Sequence, residues 1–258
     1  MGVVNVTPDS FSDGGLHADP QQALAHARRL LAEGADIIDV GGESTRPGAI
    51  AVALDEERRR VLPVIEALAA SGVPVSVDTR KPQLMREAIG AGAAMINDVT
   101  ALSGPAALEA VARTPVAVCL MHMQGDPGTM QANPSYRDVV LEVREYLAGR
   151  VAAAERAGIA RDRIVVDPGF GFGKTVDHNL ALLRSLGKFR SLGGALLAGL
   201  SRKAMLGKLT GREPLERVHA SVAAALLAVQ NGAHIVRVHD VAATRDALAV
   251  WNAVKNQN

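Results

Sequence analysis

The sequence predicts an α/β fold: a single-domain (β/α)8 (TIM) barrel over residues 1–258. Three observations carry this expectation. Eight short apolar runs alternate with longer amphipathic stretches. The same glycine junction returns five times between a helix and the next strand. The length, 258 residues, suits eight such units in one domain.

In chain order the predicted strands are VVNV (3–6), DIIDV (36–40), VPVSVD (73–78), AMINDV (94–99), VAVCLM (116–121), RIVVDP (163–168), ALLAGL (195–200) and HIVRV (234–238). Their apolar residues run on without strict alternation, as in a parallel sheet buried on both faces. Each is followed by a helical stretch. The first, Pro20 to Glu33, has Asp19 to cap it, Pro20 in its first turn and Gly34 just beyond its end. The segments EGADII, SGVPVSV, AGAAMI, AGIARDRI and NGAHIV repeat that closing glycine. One repeated unit leaves no linker between domains, although a doubly wound sheet is the competing arrangement.

Composition narrows the function. The chain is 48% hydrophobic, 21% charged and 3% aromatic, with a net charge of +1, so a nucleic-acid partner is not expected. The alanine-rich run 222–229 ends at Ser221 and Gln230, too short to span a bilayer, and the N-terminus does not read as a signal peptide. Cys119 stands alone in an apolar run and reads as packing, which points to a reducing cytoplasm.

In a barrel of this class the active site lies at the C-terminal ends of the strands. Those ends carry Asn5; Asp39 and the segment 41–46; Asp78; Asn97 and Asp98; His122; Asp167; Ser201, Arg202 and Lys203; and Arg237, His239 and Asp240. Any one carboxylate there can be a plain helix cap, but eight polar exits read as a pocket. Asp78, Asn97 and Asp167 suit a flat heterocycle with an amidine-like edge. Arg46, Arg202, Lys203, Arg237 and His239 form a cationic part suited to phosphate. The expected ligand has a planar polar head and a phosphorylated tail.

Three alternatives fall away. DPGFGFGKT has Pro168 where a phosphate-binding loop needs its first glycine. Lys203 lies beyond its strand, where a Schiff-base lysine is not expected. His122 and His239 lack partners at zinc-ligand spacing, whereas Mg²⁺ needs only one side chain, for which Asn5 suffices, plus substrate phosphates.

NVTPDSFSDGG, DIIDVGGESTRPG, SVDT, INDV, LMHMQGDP, DPGFGFGKT, GLSRK and IVRVHDV follow one another in this order. Together they resemble the bacterial dihydropteroate synthases over essentially the whole chain. That family joins 6-hydroxymethyl-7,8-dihydropterin diphosphate to 4-aminobenzoate, releasing diphosphate, in folate biosynthesis, and is the target of sulfonamides. The resemblance implies an S_N1-like displacement, Mg²⁺ as cofactor and a homodimer. It assigns Asp78, Asn97, Asp167 and Lys203 to the pterin; Asn5, Thr45, Arg237 and His239 to the diphosphate; and Asn5 to the metal. Phe11, Arg46, Pro47, Met121, Phe172 and Ser201 fall to the aminobenzoate, Ser201 by its place at the start of the helix after strand seven.

Asp13, Arg46, Lys203, Arg237 and His239 are the catalytic candidates. Residues 8–15 resemble the family's first mobile lid, in which Asp13 is favoured over Asp9. No role attaches to Arg80. Family members carry a further segment before the first strand, whose lack should leave the upper face intact. The rival readings are a pterin-binding methyltransferase, which has no need of a diphosphate cluster, and a non-catalytic pterin-binding paralogue.

Overall fold

The computed structural model describes residues 1–7, 19–44 and 48–255. Its centre is a parallel eight-stranded sheet: β1 (Gly2–Asn5), β2 (Ile38–Gly41), β3 (Val75–Asp78), β4 (Met95–Asp98), β5 (Ala117–Met121), β6 (Ile164–Asp167), β7 (Ala195–Ala198) and β8 (Ile235–Val236). The strands lie side by side in chain order. The sheet closes on itself, because Val3 N–H donates to Val238 O (3.1 Å) and Val238 N–H to Met1 O (3.0 Å). The (β/α)8 barrel is therefore the observed fold. β8 is shorter than the predicted run, since Val238 leaves the β7 ladder to bridge Gly2.

The intervening helices are α1 (Pro20–Ala32), α2 (Leu54–Ala69), α3 (Pro82–Gly90), α4 (Ala107–Ala112), α5 (Val139–Arg156), α6 (Val176–Arg184), α7 (Ala204–Thr210), α8 (Val218–Gln230) and α9 (Val241–Lys255). Their starts follow local chemistry. Asp19 accepts from Gln21 N–H at 2.8 Å, and Asp138 accepts from the N–H groups of Val140 and Leu141 at 3.0 Å. The five junction glycines, Gly34, Gly72, Gly92, Gly158 and Gly232, all take positive φ, from +74° to +102°. That conformation ends each helix and is disfavoured by any side chain.

Strand alternation builds two apolar layers and then the site. Val4, Val40, Val77, Ile96, Val118, Val166 and Leu196 point outward into the cluster shared with the helices. Met95, Cys119, Val165 and Leu197 point inward and, with Met1, plug the barrel. Burial raises the Cys119 thiol pKa well above its ordinary value, as inert packing requires. Two residues further along β4 and β6 the same inward face turns polar, with Asn97 above Met95 and Asp167 above Val165, and on β3 Asp78 stands above Ser76. A barrel closed below by side chains leaves its polar groups gathered at the upper mouth.

Candidate active site

A pocket of about 470 Å³, open to solvent, occupies that mouth. Asp78, Asn97, Met121, Asp167, Phe172, Ser201, Lys203, Arg237 and His239 line it, together with Val99, Phe170 and Gly199. Nine of the residues expected at the site thus converge on one cavity. Phe11, Asp13, Thr45, Arg46 and Pro47 lie outside the described residues, as does Asp9.

Asp167 is buried, and its Oδ1 accepts from Gly169 N–H at 2.8 Å, leaving Oδ2 without a protein partner among the described residues. Burial pushes its pKa up. Asp78 pairs with Arg237 Nη2 at 3.2 Å. Burial raises Asp78 to about 7, against the pull of that guanidinium, which favours the carboxylate. Lys203 does face the cavity although it lies beyond its strand: it is the N-cap residue of α7, and its Nζ stands 4.1 Å from the centroid of the Phe172 ring. Burial lowers it to about 8, with Asp167 opposing the shift.

The cationic part is smaller than expected. Arg202 turns away and pairs with Asp240 through Nε (3.1 Å) and Nη2 (2.5 Å). His239 is neutral at physiological pH, because burial and the Arg237 and Arg202 guanidiniums lower it to about 3. Its Nδ1 lies 3.0 Å from Ser201 Oγ, which also accepts from the His239 backbone N–H at 3.2 Å. Ser201 is not at a helix start, since α7 begins at Ala204, so it meets a ligand from the turn before the helix. Among the described residues, Arg237 and Lys203 are the expected cations of this group that remain charged at the cavity. Asp39 and Asp78 hold the Arg237 charge despite burial.

Asn5 ends β1 half-buried beside Gly41. A side chain at Gly41 would place its Cβ 3.8 Å from Asn5 Oδ1 and 3.4 Å from Asp78 Cβ, so the glycine keeps space open between the two residues. No group of three His, Cys, Asp or Glu suited to a metal exists among the described residues. A single amide oxygen beside an open cradle fits Mg²⁺ completed by phosphate and water oxygens, and does not fit zinc.

The structure adds a role for Lys174 and a network around Glu43 that the sequence did not show, and it places Asp39, one of the expected polar exits, below the pocket. The segment after β6 resembles a phosphate loop only superficially: Gly169, Gly171 and Gly173 adopt φ of +71°, +80° and +61°, and a Cβ on Gly169 would fall 1.9 Å from His122 O. Its lysine, Lys174, is buried and donates to Gly169 O (2.9 Å) and Phe172 O (2.9 Å), beside His122 Nδ1 (3.0 Å). It ties the β5 and β6 exits together and sets Phe172 over the cavity. The alternating glycines were the available signal.

Arg80 and Lys81 bond to Glu43 at 3.0 and 2.7 Å, Lys81 also pairs with Glu57, and Glu43 accepts from Val52 N–H at 2.8 Å. This network anchors the chain on either side of residues 45–47. Finally, Asp39 lies fully buried beneath the pocket and bonds to Arg237. Asp98 closes a turn rather than capping a helix: its carboxylate accepts from the Thr100 and Leu102 N–H groups, ahead of α4 at Ala107.

The model of a family described as "Pterin binding enzyme" matches residues 1–239. The chain is 52% identical over 254 residues to a dihydropteroate synthase of Escherichia coli K12, covering 98% of this chain and 90% of the relative. A structure of Xanthomonas albilineans dihydropteroate synthase with 4-aminobenzoic acid superposes with a TM-score of 0.94 at 58% identity, covering 100% and 93% of the two chains. The Burkholderia cenocepacia dihydropteroate synthase complexed with 7,8-dihydropteroate gives 0.91 at 53% identity, covering 99% and 90%.

Proposed function

The chain belongs to the pterin-binding enzyme family, and from that premise we propose that it is a dihydropteroate synthase, with residues 1–258 acting as one pterin-binding unit. It condenses 6-hydroxymethyl-7,8-dihydropterin diphosphate with 4-aminobenzoate, giving 7,8-dihydropteroate and diphosphate, a step of folate biosynthesis. The observation that carries this reading is the union, in one cavity, of an acid–amide surface with an arginine and a histidine.

Asp167 Oδ2 accepts from the pterin's 2-amino group and N3–H, a charge-assisted pair contributing about 1.5–3 kcal/mol. Asn97 donates and accepts on the ring edge, while Asp78 and Lys203 complete the cradle. At the other end Arg237 presents Nη1, which has no protein partner among the described residues, to the diphosphate. His239 approaches as a neutral imidazole, and an anion beside it favours its protonation. The methylene C–O bond breaks, its electron pair leaving with the diphosphate, and the electron-rich pterin spreads the positive charge. The arylamine nitrogen then forms the new C–N bond and loses a proton. Met121 and Phe172 flank the aryl ring, and Ser201 meets its carboxylate.

Preorganised donors facing the leaving oxygens lower the barrier because their dipoles need no reorientation as charge develops. Asn5, with diphosphate oxygens, would hold Mg²⁺, which would further neutralise the leaving group. Asp13, Arg46, Pro47, Phe11 and Thr45 keep the catalytic, aminobenzoate and diphosphate roles of the family pattern. The proposal includes a homodimer, supported by exposed Leu227 on α8 and by Val250 and Val254 on α9. A cytoplasmic location is supported by the single buried thiol.

The test is a two-substrate assay. Dihydropteroate and diphosphate should form in equal amounts only when both substrates and Mg²⁺ are present. Diphosphate release with no dependence on 4-aminobenzoate, or the absence of dihydropteroate with every component present, would refute the assignment.

A further inference from the structure

We infer that Asp39 is a positioning residue for Arg237, fixing the guanidinium from beneath the pocket so that its outer edge faces the diphosphate. The inference rests on Arg237 taking the diphosphate, as proposed above. Asp39 is an inward residue of β2, fully buried and absent from the pocket wall. It lies two residues below Gly41, roughly 6.6 Å down the barrel at the usual strand rise. A ligand at the mouth does not touch it.

From there Asp39 reaches two residues that a ligand does touch. Its Oδ2 accepts from Arg237 Nε at 2.6 Å and, more weakly, from Asn97 Nδ2 at 3.3 Å. Oδ1 has no partner among the described residues, so Arg237 is the main compensation for the buried charge. A guanidinium is planar, and holding Nε therefore sets the plane and direction of the whole fork.

The two carboxylates on Arg237 are not equivalent. Asp78, which accepts from Nη2 at 3.2 Å, lines the cavity and faces the ligand's planar head. Asp39 has no competing ligand. It is the permanent partner, and Asp78 is the one that can exchange Arg237 for substrate. With Asp39 neutralised, the fork loses its fixed edge and is drawn toward Asp78, away from the diphosphate.

The experiment titrates inorganic pyrophosphate with Mg²⁺, and separately 6-hydroxymethylpterin, into wild type, Asp39→Asn, Arg237→Met and the double variant. Thermal melts check that each is folded. Replacing a charge-assisted bond by a neutral one should weaken pyrophosphate about tenfold in Asp39→Asn, with a much smaller effect on the pterin. The double variant should bind pyrophosphate no more weakly than Arg237→Met alone. If Arg237→Met binds pyrophosphate like wild type, the diphosphate role of Arg237 fails. If Arg237→Met weakens binding but Asp39→Asn does not, or the two effects add, the positioning role fails.

Equal loss of pyrophosphate and pterin affinity in Asp39→Asn would make Asp39 a general structural residue and overturn the inference. Should Arg237→Met fail to fold, Arg237→Lys replaces it: it keeps the charge but lacks Nε, and should lose pyrophosphate affinity despite that charge. Wild-type affinity in Arg237→Lys would equally overturn the inference.

Discussion

Lys174→Met removes a buried lysine amine that holds the loop after β6 in place, and its effect should depend on pH. Burial lowers the Lys174 pKa from an ordinary 10.5 to about 7. Between those values the unfolded chain binds a proton at this lysine that the native state does not. Native stability therefore gains with rising pH across that window, and the burial penalty is full only below about 7. The gap corresponds to about 4–5 kcal/mol over the whole window, or about 1.4 kcal/mol per pH unit. Methionine fills similar space without titrating, so ionisable groups that do not sense Lys174 cancel in the difference, and Asp167, Lys203 and His122, which do sense it, add smaller changes.

Urea unfolding of both proteins at about pH 7, 8 and 9 measures this directly, with wild type gaining on the variant by about 1.4 kcal/mol per unit. A difference that stays constant from pH 7 to about 9 would refute the reasoning. It would mean that the carbonyls of Gly169 and Phe172, both at 2.9 Å, keep the ammonium charged in the fold. The same variant frees the loop carrying Phe172. We expect KM for 4-aminobenzoate to rise several-fold, and KM for the pterin diphosphate to change less.

Two further outcomes follow from the same loop and its strand. Gly169→Ala should lower stability by several kcal/mol, since its Cβ would meet the backbone carbonyl of His122 at 1.9 Å with φ at +71°. Melting within a degree or two of wild type would contradict that geometry. Asp167→Asn should keep the fold but raise the dissociation constant for 6-hydroxymethylpterin about 10- to 100-fold, because a charged acceptor is lost. Calorimetry giving an unchanged constant would remove Asp167 from the pterin site.

Much of this protein was legible in the linear chain. The strands fall within a few residues of the apolar runs because a strand buried on both faces needs apolar residues locally, whatever its neighbours are. The five junction glycines mark helix ends because the left-handed conformation is a property of one residue and its own Cβ. The polar strand exits named Asp78, Asn97, Asp167 and Arg237 because topology alone sends strand ends to one mouth.

What folding decided is the state of those groups. Arg202 and Lys203 are adjacent in sequence, yet one pairs with Asp240 and the other faces the cavity. His239 is neutral because burial and two guanidiniums surround it, and Lys174 became a tie between loops because His122, 52 positions earlier, meets it together with the loop's own carbonyls. Asp39 and Arg237 stand 198 positions apart and meet only when the barrel closes. The sequence by itself determined which residues stand at the strand exits. Burial and cross-barrel distance, which set charge and hydrogen bonding, are properties of the packed structure, and only it decided what each of those residues can do.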